Sequence, residues 1–282
     1  MTLEIRPHGN IGAEILGVDL ARLNDADLAR IRAAFADHGV VFFRDQTINE
    51  DQHIAFARAF GRININRFFA AHPRYPEIAL VIKEPHQTHN IGDGWHTDHS
   101  YDAEPALGSV LVAREVPSRG GATAFASMYA AYDALPRDLR ERVEHLRAIH
   151  SARHVFGSKA TAYEASRETR RDGRIGNAAA ADVLDDVVHP VVITHPLSKR
   201  RALYVNPSFT TAIVGLEAEE SRALLGALYE HALDPRFQED FHWQPGSVAL
   251  WDNRATWHYA HNDYHGQRRE MHRITIAGEA LN

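Results

Sequence analysis

The spacing of apolar residues divides this chain into short strands and a few helices. Residues 3–5 and 13–18 read as two short strands separated by a turn over residues 9–12. Asn24 then stands where an N-cap would, ahead of Leu28, Ile31 and Phe35 at helical spacing, and Gly39 marks the stop. Residues 40–43, Val-Val-Phe-Phe, form an apolar run of the length of a buried strand. Asn49 with Gln52 reads as a capping box, opening a helix with Ile54, Ala57 and Phe60 inward and Gly61 at its close. Residues 64–76 show no period and read as a loop.

Strand character returns at residues 78–82 and 107–113, and Gly120-Gly121 marks a tight turn before Ala122-Thr123. Two helices are predicted around residues 128–135 and 137–146. Residues 157–186 differ: they are rich in Ala, Arg, Glu and Asp and lack an apolar stripe. A connection of that kind inside a compact domain reads either as a lid or as a surface helix with an irregular turn. Strands follow at 187–194 and 202–205, an amphipathic helix at 217–231 with Leu224, Leu225 and Leu228, and short strands at 248–251, 255–258 and 271–276. Helices early and mid-chain with short strands late predict a mainly β protein with flanking helices. No repeat or linker divides it, so a single domain over residues 1–282 is expected, with 157–186 as a lid insertion.

Composition narrows the function classes. Hydrophobic residues make up 44% and charged residues 24%, ordinary for a globular chain with a sizeable core. A formal net charge of -6 without a basic block argues against nucleic acid as a partner. With no cysteine, disulfides, thiolate catalysis and zinc-thiolate sites are excluded. Residues 1–10 lack a signal-peptide core and no apolar run approaches a membrane span, so no membrane partner is expected and the cytoplasm is the default compartment.

The chemistry centres on Trp95-His96-Thr97-Asp98, which follows the Gly92-Asp93-Gly94 turn. If this piece is extended, His96 and Asp98 point the same way and can hold two adjacent positions of a metal. A second histidine from elsewhere would complete a 2-His-1-carboxylate set, the site of non-haem Fe(II) oxygenases. A second His-x-Asp, His261-Asn262-Asp263, is given no role. The C-terminal quarter carries Trp251-Asp252-Asn253-Arg254, then His258, then Arg269, Met271 and Arg273, which share one face of an extended strand. Two inward guanidinium groups would require anionic partners, whereas an edge strand would leave both as solvated surface charge. The period alone leaves both readings open.

Taken together and in order, these motifs, with Gly120-Gly121-Ala122-Thr123 and His258-Tyr259, resemble the taurine dioxygenase family of Fe(II)- and 2-oxoglutarate-dependent dioxygenases, over about residues 11–278. The resemblance implies a double-stranded β-helix, or jelly-roll, core with helices outside. It implies His96, Asp98 and His258 as iron ligands, with Arg269 and Thr123 holding the far carboxylate of 2-oxoglutarate. It further implies hydroxylation of a C–H by dioxygen, with 2-oxoglutarate decarboxylated to succinate, and a homo-oligomer, dimer or tetramer. Arg273 matches a residue that receives a substrate anion. Asn66, Phe69, Phe156 and Phe209 match pocket positions, with plain core packing as the alternative for each of the three phenylalanines, while Gly92 falls where the taurine enzyme has Asn. The expected substrate is thus a small anionic molecule of sulfonate, sulfate ester or aryloxyalkanoate type, with a more apolar body than taurine. The alternative is a non-catalytic jelly-roll that binds a small anion and keeps the metal residues by descent.

Overall fold

The computed structural model of the chain describes residues 2–158, 160 and 172–281. Its centre is a nine-stranded sheet in which the Val40–Phe43, Val248–Asp252, Gly108–Glu115, Arg269–Ile276 and Tyr75–Lys83 strands lie side by side. A three-stranded sheet of Gln238–Phe241, Thr123–Ser127 and Thr256–Ala260 faces it. The result is the mainly β jelly-roll architecture anticipated from the chain.

The four apolar residues of the Val40–Phe43 strand show why the large sheet needs cover on both sides. Val41 and Phe43 pack with Ile31, Phe35, Ile54 and Phe56 of the two N-terminal helices. Val40 and Phe42 pack on the opposite face with Phe125 and Phe241 of the small sheet. The Phe42 and Phe241 rings stack at 4.0 Å. A strand buried on both faces reads as a continuous apolar run rather than an alternation. A further core lies beyond the small sheet, where Ala126 and Trp257 meet helix residues Met128, Leu224 and Leu228.

The first helix, Asp25–His38, is capped by Asn24, whose side chain accepts from the Asp27 N–H at 2.8 Å, and ends at Gly39 with φ 73°. The second, Glu50–Arg58, opens with the Asn49–Gln52 capping box and stops at Ala59, short of the expected Gly61. Several other expectations need correction. The loop at 64–76 contains the Ala71–His72 strand, paired with Tyr75–Lys83, and Asn64 closes a two-residue strand against Thr275. The strand expected over 187–194 is two strands, Val187–Pro190 and Val192–Thr194, in different sheets. The helix expected to reach residue 146 ends at Val143, and Arg147–His150 is a strand. Within the 157–186 segment, residues 159 and 161–171 lie outside the described residues. Its other end is packed down: Ala70 N–H donates to the Arg174 carbonyl at 3.1 Å and Gly176 N–H to the Phe68 carbonyl at 2.8 Å. No helix among the described residues is long and apolar enough to cross a membrane.

Two buried histidines set an acid limit. Burial lowers His53 to about 3, helped by the nearby Arg114 cation, and burial beside His189 lowers His150 to about 3. Both are neutral in the fold above that value, whereas the unfolded chain protonates them below about 6.5. The unfolded state therefore binds more protons, and stability falls as pH drops from about 6.5 toward 3. Each group should withdraw on the order of 1.4 kcal/mol per pH unit in that window. Urea unfolding between those limits should show this slope, and His150→Asn should make it shallower; an unchanged slope removes His150 from the account.

Candidate metal centre and adjoining pocket

His96 does not lie in a regular strand. It forms an isolated bridge with His258, in which the His96 N–H donates to the His258 carbonyl at 3.2 Å and the return bond is 2.8 Å. The chain then turns at Asp98. The bridge brings the imidazole rings to 4.1 Å between centroids. The Asp98 carboxylate lies opposite, with Oδ1 3.7 Å from His96 Nε2 and Oδ2 3.7 Å from His258 Nε2. Those separations are too long for hydrogen bonds. One ligand atom from each of the three residues falls within 4.8 Å of the others. Three lone-pair donors thus converge without satisfying one another, an arrangement suited to a cation.

The protonation states agree. His96 Nδ1 donates to the Gly94 carbonyl at 2.7 Å, which leaves Nε2 as the lone-pair nitrogen. Burial lowers His96 and pushes His258 well below the ordinary histidine range. Burial opposes ionisation of Asp98, but the carboxyl is held below its usual range, chiefly by the Arg273 charge beside it. Two neutral imidazoles and one carboxylate are the donors of a facial triad.

Neighbouring groups fix this geometry. Ser109 Oγ donates to Asp98 Oδ2 at 3.3 Å, and the Thr97 hydroxyl donates to the Asn253 carbonyl. Asn253 belongs to a turn held by a buried charge cluster. Arg254 donates to both oxygens of Asp252 at 2.9 and 2.8 Å, and His195 Nε2 lies 3.0 Å from Asp252 Oδ2. That turn feeds directly into the Thr256–Ala260 strand and His258. Trp251-Asp252-Asn253-Arg254 is therefore a support for the donors rather than a set of donors.

A pocket of about 1040 Å³, counted with its open mouth, adjoins the donors. Arg269 and Arg273 both line it and are 4% and 6% exposed, which rules out solvated surface charge for either. Arg269 Nε and NH2 have no hydrogen-bond partner among the described residues, and burial lowers its pKa. Gly121, at φ +69°, sits where a Cβ would stand 2.9 Å from Pro117 Cγ, and it packs beside Arg269 Cδ. Thr123 also lines the pocket, and its hydroxyl accepts from Trp243 Nε1 at 2.9 Å. Arg273 NH1 donates to both Asp98 oxygens at 3.1 and 3.2 Å, and its guanidinium lies over the Phe69 ring at 4.4 Å.

Phe69, Phe156 and Phe209 form the apolar wall, joined by Ile175. Asn66 does not line the pocket. Its Oδ1 turns back to accept from Phe68 N and Phe69 N at 2.9 and 3.0 Å, a local closure that short amide side chains favour over reaching outward. It shapes the wall by holding Phe69. Gly92 lines the pocket and leaves open the space beside His96, where a Cβ would stand 3.4 Å from Cε1. Asp263, given no role from sequence, accepts from Gly121 N at 2.7 Å and so pins the Gly120-Gly121 turn. Nothing in the sequence singles out Trp243, and for Ser109 the one signal is a lone serine inside an apolar strand.

Comparison with known proteins accords with this geometry. The family model for taurine catabolism dioxygenase TauD, TfdA family matches residues 4–275. The chain is 34% identical to an alpha-ketoglutarate-dependent sulfate ester dioxygenase of Pseudomonas putida, covering 99% of this chain and 91% of that one. It is 35% identical to an (S)-phenoxypropionate/alpha-ketoglutarate-dioxygenase of Sphingobium herbicidovorans, covering 95% and 92%. Among solved structures, a taurine dioxygenase from Burkholderia xenovorans superposes with a TM-score of 0.81 at 34% identity, over 100% of this chain and 93% of that one. The chain belongs to the TauD/TfdA family of alpha-ketoglutarate-dependent dioxygenases, oxidoreductases that use Fe(II), 2-oxoglutarate and dioxygen.

Proposed function

We propose that this protein hydroxylates a C–H bond of a small organic anion of sulfonate, sulfate ester or aryloxyalkanoate type, coupled to conversion of 2-oxoglutarate to succinate and CO2. One oxygen atom of dioxygen enters succinate and the other the hydroxyl group. Where the hydroxylated carbon also bears a sulfonate sulfur, a sulfate ester oxygen or an aryl ether oxygen, the product collapses to a carbonyl compound and releases sulfite, sulfate or a phenol, respectively. The observation that carries this reading is the pairing of three converging donors with the buried Arg269 guanidinium in the same pocket, two of whose nitrogens have no partner among the described residues.

In this reading His96, Asp98 and His258 hold Fe(II), which when bound supplies the activation of dioxygen. The His96 Nδ1–H bond to Gly94 fixes the tautomer, and Ser109 and Arg273 restrain the carboxylate. Arg269 takes the far carboxylate of 2-oxoglutarate in its planar fork, and the Thr123 hydroxyl adds a third bond. Arg273 meets the substrate anion from its Nε side, which has no partner among the described residues. Phe69, Phe156 and Phe209 hold the apolar body and keep water from the reacting carbon. Both sheets contribute to the site, which supports a single domain; the Ile175 contact supports a covering role for the end of the 157–186 segment. A non-catalytic anion binder would have no use for three converging donors beside open space.

Three outcomes test the reading. His96→Ala, Asp98→Ala and His258→Ala should each abolish Mn(II) binding, followed by electron paramagnetic resonance, while circular dichroism stays unchanged; a variant that binds Mn(II) like wild type is not a ligand variant. Arg269→Ala should weaken 2-oxoglutarate binding by roughly 2–5 kcal/mol, the cost of breaking a buried charge pair. Titration of the visible band of the anaerobic Fe(II) complex measures this, and an unmoved midpoint places the co-substrate elsewhere. Arg273→Gln should cost an alkyl sulfate or phenoxyalkanoate substrate about 1.5–3 kcal/mol, as for a charged hydrogen bond. Mn(II) affinity should hold or tighten, because a cation beside the metal has gone. Unaltered substrate saturation in that variant would remove the anionic-substrate assignment.

A further inference from the structure

Trp243 lies behind the pocket rather than on its wall, yet it touches both groups assigned to the far end of 2-oxoglutarate. It follows the Gln238–Phe241 strand, whose Phe241 is paired with Thr123. Its ring is held edge-on against Phe241 at 4.8 Å and is 8% exposed. From there Nε1 donates to Thr123 Oγ1 at 2.9 Å, and the Arg269 guanidinium carbon lies 5.9 Å from the centre of the indole ring.

The direction of that hydrogen bond matters. An indole N–H can only donate, so it occupies a lone pair of the Thr123 oxygen and leaves the hydroxyl proton unused. No acceptor for that proton is present among the described residues, and Thr123 lines the pocket. A side chain in the same place that accepted a hydrogen bond would instead consume the proton and present lone pairs to the pocket. Those would repel a carboxylate. Trp243 thus sets the polarity of Thr123, turning it into a donor toward the space beside Arg269.

We infer that Trp243 is a positioning residue for 2-oxoglutarate, acting through the Thr123 hydroxyl and against the Arg269 guanidinium. The inference rests on the reading that Thr123 and Arg269 hold the far carboxylate. It predicts selectivity at this end for an acceptor-only group, an ionised carboxylate, over a neutral amide that would present N–H donors.

Trp243→Phe keeps an aromatic ring and removes the N–H. With the Fe(II)-loaded protein under anaerobic conditions, its 2-oxoglutarate dissociation constant should rise about tenfold, with the Mn(II) dissociation constant reporting that the metal site is intact. In a Thr123→Val background the same change should add less than about twofold, because neighbours that act as one unit are non-additive. An unshifted constant, or an equal shift in both backgrounds, overturns the inference. Arg269→Ala separates the two levels. If it weakens binding and Trp243→Phe does not, only the role of Trp243 falls; if it leaves binding unchanged, the co-substrate site falls and this inference with it. Should Trp243→Phe fail to fold, the nitrogen-15 indole spectrum of the Zn(II)-loaded wild type serves instead. The resonance displaced by Thr123→Val should move on adding 2-oxoglutarate, and a stationary resonance overturns the inference.

Discussion

Three electron-pair donors have to face one point without bonding to each other, and the backbone pairing of His96 with His258 is what makes this possible here. Left to side-chain preferences, a carboxylate between two imidazoles would draw them into hydrogen bonds. The paired backbone groups fix the two ring origins, and the turn at Asp98 brings the carboxylate across from them at 3.7 Å on either side. Everything around the bridge keeps it in register. Thr97 ties the segment to Asn253, and the Asp252–Arg254–His195 cluster holds the turn that leads to His258.

Buried charge is distributed in the same spirit. Asp252 and Arg254 satisfy each other inside the fold, as partners must when both are withdrawn from water. Asp98 and Arg273 are also paired, but at the edge of a pocket where each has a second prospective partner. Arg269 lacks partners for two of its nitrogens among the described residues. The sequence from self-compensated to half-compensated to open charge runs from the supporting turn to the ligand space. A buried cation whose hydrogen-bonding groups are only partly satisfied is costly, and a binding site is where that cost has a use.

The pocket wall illustrates how a residue can matter without facing the ligand. Asn66 serves by holding the backbone of Phe69, and Phe69 in turn covers the Arg273 guanidinium. Asp263 likewise works through the Gly120-Gly121 turn, which precedes Thr123 and packs beside Arg269. Substitution at such positions would alter the site through its shape.

The sequence by itself determined much of this. Caps at Asn24 and Asn49 and the stop at Gly39 are local chemistry, and local hydrogen bonding placed the two N-terminal helices. The family was legible because several short motifs stand in order, and their order survives without knowledge of the fold. Other features depended on contacts between residues far apart in the chain. Whether the face of Arg269, Met271 and Arg273 was inside or outside could not follow from a period of two, which is the same for either; the facing small sheet decided it. The inward turn of Asn66 is local, made to backbone N–H groups two and three residues on, whereas the split of residues 187–194 between two sheets and the parts played by Trp243 and Asp263 rest on partners elsewhere in the chain. A side chain's type limits which bonds it can make. Which bond it does make is decided by what the folded chain brings within 3 Å or so of it.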